Sequence, residues 1–222
     1  MNKSSSTYIL GFIIVVSLVF GTGVAVVHYS TQQMLERNEQ LHINRLVAQA
    51  FMLKVSQESP EAYAQAVSQA VEIDTIGDAT NPMTLYRGRG GEGLLGFSFS
   101  GTGFWDRISG ILVLSADLST IRTIRFFVQS ETPGLGARIE EAWFLKQFEG
   151  VRIDWEDGAG EYVVISPVAE KKPENEIDAI TGASQTSMAL MRTLNADLKR
   201  FKKLYQSSAH PSPVSQRNDD NG

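Results

Sequence analysis

The chain has 222 residues, 42% of them hydrophobic and 20% charged, with a net charge of −5. That composition suits one buried core, and the acidic balance argues against nucleic acid as a partner, because phosphate backbones are met by basic surfaces. With no cysteine and three scattered histidines, His28, His42 and His210, there is no thiol ligand for zinc or an iron–sulfur cluster, no disulfide and no thiol nucleophile.

From Ser4 to Leu35 there is no Asp, Glu, Lys or Arg, and Tyr8 to Val27 is almost wholly apolar over 20 residues. A helix of about 20 such residues crosses a bilayer. The run lacks the polar face of a soluble helix and is longer than a signal-peptide core. No small-x-small site follows before Gln32, so residues 1–30 read as a retained transmembrane anchor. Lys3 precedes the span and Glu36 is the first charge after it. The positive-inside rule then leaves the N-terminus in the cytoplasm and the remaining chain outside. In a bacterium this is a single pass of the inner (cytoplasmic) membrane with a soluble domain on the periplasmic side.

Residues 31–92 read as a helical stalk and domain entry. Leu35, Leu41, Leu46, Val47, Ala50, Phe51 and Leu53 recur near helical spacing, predicting a helix over Met34 to Val55. Pro60 opens a second helix to about Val71, and Ile73 to Gly93 is expected to be loop-rich with one strand at Met83 to Tyr86. Residues 93–206 form the main domain. Strands are expected at Ile111–Leu114 and Ile121–Val128, a helix at Arg138–Phe148, and a hairpin of Val151–Trp155 with Glu161–Ile165 about a turn at 156–160. An amphipathic helix runs from Ser187 to Tyr205, with Leu190, Met191, Leu194, Leu198, Phe201 and Tyr205 on one face. Residues 207–222 read as a disordered tail. The fold class is α+β: one N-terminal transmembrane helix, then a domain with a mostly antiparallel sheet flanked by helices.

Four glycine- or hydroxyl-rich stretches stand out. Gly88 to Gly93 matches GxGxxG, but the strand-like Leu94–Phe99 follows it, where a dinucleotide fingerprint needs a helix. Gly101-Thr102-Gly103-Phe104-Trp105 either bends the backbone to set an aromatic against something flat or merely feeds an aromatic into the core. Glu131-Thr132-Pro133-Gly134-Leu135-Gly136 either hugs a planar ligand with its main chain or closes the fold as a tight turn. In Asp178 to Ser187 the hydroxyls of Thr181, Ser184, Thr186 and Ser187 fall within seven residues just before a helix. They either cap that helix or form a phosphate site at its N-terminus, where free N–H groups and the dipole favour an anion. No nucleophile–base pair suited to hydrolysis and no metal-ligand set emerges.

Taken together, the last three stretches resemble the FMN-binding C and G subunits of, respectively, the sodium-pumping NADH:quinone oxidoreductase and the related Rnf complex. The family's flavinylation signature is Asp, two variable residues, Ser or Thr, Gly, Ala, Thr or Ser, any residue, Thr. Asp178, Thr181, Gly182, Ala183, Ser184 and Thr186 fit it, with Ser184 in place of the commoner Thr. The resemblance implies FMN held covalently by a phosphoester to Thr186, installed by a separate flavin transferase from FAD. It also implies that Ser187 begins the helix facing the phosphate. By the same resemblance the stretch of Glu131, Thr132, Pro133, Gly134, Leu135 and Gly136 lies near the isoalloxazine, with Trp105 as a flat neighbour. It covers about Gly96 to Leu198 plus the single span. The Gly101–Trp105 and Asp117–Ile121 runs are closer to the sodium-pump protein, although the chain is short for it, with the region before Gly96 reduced. The implied role is an electron relay, not catalytic alone, held by the membrane beside the other membrane subunits of an ion pump. An Rnf-like or other respiratory flavoprotein, or a flavin-free binding module, are the alternatives.

Overall fold

Side chains that alternate between two environments, and a final helix with one apolar face, set the architecture of the chain, described here from a computed structural model that covers residues 6–156, 161–167 and 173–209. Two units are distinguished by their internal contacts, Met1–Ile43 and Asn44–Gly222.

The first unit is helical. Helix α1 runs without a break over Ser6–Ala50, so the expected anchor and stalk are one element. Its apolar residues, Leu10, Phe12, Leu18, Phe20 and Val24 among them, are exposed along the chain. The helix is long and apolar enough to cross a membrane, which is the arrangement of a membrane-anchored protein. The last two turns of α1, from Asn44, belong to the second unit. The helix stops before the expected Val55 because Met52 takes a left-handed φ of 53°. Leu53 N–H then bonds Ala48 C=O at 2.8 Å and Met52 N–H bonds Gln49 C=O at 3.1 Å, a Schellman closure made without glycine.

The second unit is built on a five-stranded antiparallel meander in the order β1-β2-β3-β4-β5, with strands at Val71–Ile76, Met83–Gly88, Leu95–Thr102, Arg107–Leu114 and Ile121–Val128. Helix α2, Pro60–Ala70, is capped by Ser59, whose hydroxyl accepts from Ala62 N–H at 3.2 Å, and leads directly into β1. The sequence missed β1, since only its two end residues, Val71 and Ile76, are buried and no alternation survives between them. Ile73 to Gly93 is therefore two strands and a turn rather than loop. The expected domain boundary at 92/93 cuts through this sheet, whereas the division by contacts falls at 43/44.

One face of the sheet carries Leu85, Phe97, Phe99, Leu112, Ile124 and Phe126 into the main core with helix α4, Ser184–Ala209. The opposite face is approached by Phe51, whose ring occupies space that side chains on Gly88 and Gly96 would fill. Three contacts give the direction of α4. A side chain on Gly101 would collide with Thr193, Ser100 N–H donates to the Asp197 carboxylate at 2.8 Å, and Phe97 stacks on Phe201 at 4.6 Å between centroids. As residue numbers rise in the helix they fall in β3, so the two run antiparallel. The start of α4 is thereby delivered to the β3–β4 turn.

Two elements differ from expectation. Arg138–Phe148 is not one helix. A 3-10 turn at Gly136–Glu140 is separated from a short α3, Ala142–Gln147, by Glu141, whose ψ of 141° is extended. The expected hairpin does not form a ladder among the described residues, its two arms sharing one backbone bond, Asp154 N–H to Tyr162 C=O at 3.2 Å. Val164–Ser166 (β6) pairs in parallel with Glu176–Asp178 (β7), while Arg152 makes only an isolated bridge to Thr120. The hairpin turn at 157–160 and the tail from 210 onward lie outside the described residues. The antiparallel sheet flanked by helices agrees with the α+β expectation.

The β4–β5 loop holds its geometry through Asp117. Its carboxylate accepts from the hydroxyls of Ser115 and Ser119 and from Ser119 N–H. Hydrogen bonding, from Ser115 first, lowers its pKa from 3.8 to about 2. A depressed carboxylate contributes stability that is present above pH 3.8 and lost as pH falls toward 2. Thermal melts of wild type should therefore fall more steeply between pH 4 and 2 than those of D117N. In the core, F201A removes the ring stacked on Phe97 and is expected to cost about 3–5 kcal/mol in urea unfolding of the detergent-solubilised chain.

Candidate functional site

The antiparallel run of α4 over β3 brings three loop segments to one end of the sheet: the β3–β4 turn at 103–106, the segment after β5, and the loop into α4. They enclose a cavity of about 370 Å3 lined by Phe104, Trp105, Glu131, Thr132, Leu135, Gly136, Gly182, Ala183, Ser184, Gln185 and Thr186. Small-molecule sites commonly span roughly 300–1,000 Å3.

Each segment has a local reason for its shape. Leu135 N–H bonds Thr132 C=O at 3.1 Å across Pro133 and Gly134, and Gly134 has φ +76°. This is the turn for which proline at the second position and glycine at the third are best suited. Pro133 and Gly134 therefore make the turn and do not line the cavity; their neighbours Thr132, Leu135 and Gly136 do. The loop before α4 repeats the device. Ala183 N–H bonds Ile180 C=O at 2.9 Å around Thr181 and Gly182, with Gly182 at φ +83°.

Helix α4 starts at Ser184, three residues before the expected Ser187. Its first closing bond is Ser187 N–H to Ala183 C=O at 3.0 Å. The N–H groups of Ser184, Gln185 and Thr186 find no acceptor among the described residues, and all three residues border the cavity. Such donors at the positive end of a 26-residue helix favour an anion. Neither Thr186 nor Ser187 acts as a side-chain cap. The Ser187 hydroxyl turns inward, donating to Ala183 C=O and accepting from Ile180 N–H, each at 3.1 Å. Asp178 lies at the end of β7, its backbone held on both sides by the Gln147 amide, and with Thr181 it stays off the cavity wall.

Glu131 ties the three segments together. It is 4% exposed. Its Oε1 accepts from Phe104 N–H at 2.8 Å and Trp105 N–H at 3.1 Å, and its Oε2 accepts from the Thr186 hydroxyl at 2.7 Å. No ion pair joins it among the described residues, so three hydrogen bonds carry its negative charge. Gly103 and Gly136 are obligatory here. A side chain on Gly103 would strike Glu131 Oε1, and one on Gly136 would lie 2.5 Å from Thr186 Oγ1 and 2.8 Å from Glu131 Oε2. Phe104 and Trp105 meet edge-to-face at 5.2 Å and remain exposed, as does Leu135.

Of the residues singled out in the sequence, the fold gathers Trp105, Glu131, Thr132, Leu135, Gly182, Ala183, Ser184 and Thr186 around one cavity. It leaves Pro133, Gly134, Thr181, Asp178 and Ser187 behind it. Phe104 and Gly136, singled out only as parts of their stretches, also line the cavity, as does Gln185, which had no reading of its own. The glycine spacing of Pro133-Gly134-Leu135-Gly136 was the available signal for Gly136.

G136A should push Thr186 and Glu131 apart. We expect a loss of about 1–3 kcal/mol in urea unfolding.

Residues 103–199 match the family model described as FMN-binding domain. The chain is 26% identical over 133 residues to the C subunit of the Na+-translocating NADH-quinone reductase of Yersinia pestis, covering 59% of this chain and 50% of that protein. It is 37% identical over 90 residues to the corresponding protein of Pasteurella multocida, covering 40% and 34%. The chain thus spans half or less of the length of these curated relatives. The crystal structure of the same protein from Parabacteroides distasonis superposes with a TM-score of 0.67 at 20% identity, over 78% of this chain and 96% of that one, a likeness of fold. Residues 103–199 are thus similar to an FMN-binding domain, and the chain shares its fold with a solved C subunit of the Na+-translocating NADH-quinone reductase.

Proposed function

We propose that this chain carries FMN joined through its phosphate to Thr186 and relays electrons within a membrane-anchored NADH:quinone oxidoreductase of the sodium-translocating type. The observation that carries the reading is the position of Thr186. Thr186 lies in the first turn of α4 and lines the cavity together with Ser184 and Gln185, and the N–H groups of all three have no acceptor among the described residues.

The residues present fit the group. A threonine oxygen would supply the ester, and the free N–H groups at the start of α4 would favour the remaining phosphate charge. Phe104, Trp105 and Leu135 offer exposed apolar surface for a flat ring to cover. When bound, FMN supplies one- and two-electron redox chemistry that no side chain here possesses. Thr186 keeps the group from diffusing away as its affinity changes with redox state. Glu131 holds the Phe104–Trp105 turn against α4, so the aromatic wall and the ester position keep a fixed relation.

The apolar helix would hold the domain on the periplasmic side of the inner membrane, beside the other membrane subunits that give and take electrons. Loading would require a flavin transferase on the same side, with FAD as donor.

The full chain co-expressed with an active transferase and exported should gain the mass of one FMN less water. It should also fluoresce in a denaturing gel, and T186A should do neither. An unmodified wild-type mass under those conditions sinks the tether.

A further inference from the structure

Two adjacent hydroxyls at the start of α4 behave differently. Ser187 does what a helical hydroxyl ordinarily does, donating to the carbonyl four residues back, Ala183, at 3.1 Å. Thr186 instead donates across the fold to Glu131 Oε2 at 2.7 Å, a partner 55 residues away in sequence. Glu131 is almost fully buried, has no ion pair among the described residues, and spends Oε1 on two backbone amides. Oε2 is left with the threonine as its hydrogen-bond donor. The missing side chain of Gly136 is what lets this oxygen and Thr186 Oγ1 share the space.

We propose that Glu131 is the positioning residue that presents Thr186 Oγ1 for esterification and takes up the hydroxyl proton as the ester forms. The inference rests on the reading of Thr186 as the flavin attachment point. An alcohol is a weak nucleophile until a neighbouring base receives its proton. In this step Thr186 Oγ1 attacks the flavin-side phosphorus of FAD and the new O–P bond forms. The pyrophosphate O–P bond breaks, and AMP departs with that electron pair. The proton moves from Oγ1 to Glu131 Oε2 and then to solvent; nothing is oxidised or reduced. The acceptor chain thus contributes a base to its own modification, and the transferase contributes the activated donor. Because Oε1 holds the Phe104–Trp105 turn, the carboxylate enters the reaction already aimed.

E131Q separates this role from a structural one. A glutamine can keep its carbonyl on the two amides while its NH2, a donor, replaces the acceptor facing Thr186. The full chain, made without transferase and held in detergent, is mixed with purified transferase and FAD. Covalent flavin is followed by in-gel fluorescence and intact mass, with acceptor concentration varied to obtain kcat and KM. E131Q is expected to melt within a few degrees of wild type and to lose about 100-fold in kcat with KM within about twofold. Wild-type kcat in E131Q, or a rise in KM alone, overturns the proposal. Should E131Q melt early, E131D decides. It keeps the charge but withdraws it, and a reduced kcat at unchanged KM supports the role, whereas a wild-type kcat overturns it. T186A is the control for the underlying reading. If wild type itself takes up no flavin, the attachment has failed; if wild type and E131Q load equally and T186A stays blank, only the role of Glu131 has failed.

Discussion

A carboxylate taken out of water must find hydrogen-bond donors or a cation, and Glu131 has donors alone. Two come from the backbone of a turn between strands and one from the first turn of the last helix. Each segment is a loop or an element end that nothing in its own neighbourhood would hold still. Their shared acceptor converts three loose connections into one walled cavity. The cost of burying the charge unpaired is what makes the arrangement specific. Losing one segment strands the charge that the other two were organised around.

The rest of the domain brings these segments within reach of one another. β5 pairs antiparallel to β4, with Ser109 opposite Val128, so the exit of β5 lies beside the entry of β4 and the turn that precedes it. Helix α4 reaches the same place because it is keyed to β3 at three levels: Thr193 over the bare Gly101, Asp197 on Ser100 N–H, and Phe201 on Phe97. The spacing of four in the helix keeps those three on one face. The core of Phe97, Phe99, Leu112, Leu194 and Leu198 is fully or almost fully buried. Its packing fixes the helix axially as well as laterally, and the position of Thr186 at the cavity wall follows from it.

The cavity combines a polar and an apolar half. Unbonded amides at the helix start suit phosphate, while Phe104, Trp105 and Leu135 suit a flat ring. The two halves meet at a buried hydroxyl that belongs to both. This division fits a planar cofactor bearing a phosphate better than a metal or a simple anion, and it agrees with a family match that spans the same residues.

The amino-acid sequence by itself determined the elements whose signals are local. The apolar run of Tyr8–Val27, the strand Ile121–Val128, the amphipathic face of the last helix and the turn residues Pro133, Gly134 and Gly182 are all dictated by neighbours a few residues away. The motif order also pointed to Thr186 as the residue of interest. Tertiary structure alone decided the rest. Val71–Ile76 is a strand because β2 offers it hydrogen bonds, not because its side chains alternate. Val164–Ser166 pairs with Glu176–Asp178 instead of folding back on Val151–Trp155. Glu131 is the acceptor that joins Thr186 to the Phe104–Trp105 turn. Each of these depends on a partner distant in the chain, and a hydrogen bond leaves no mark on the sequence until packing has brought its two ends together.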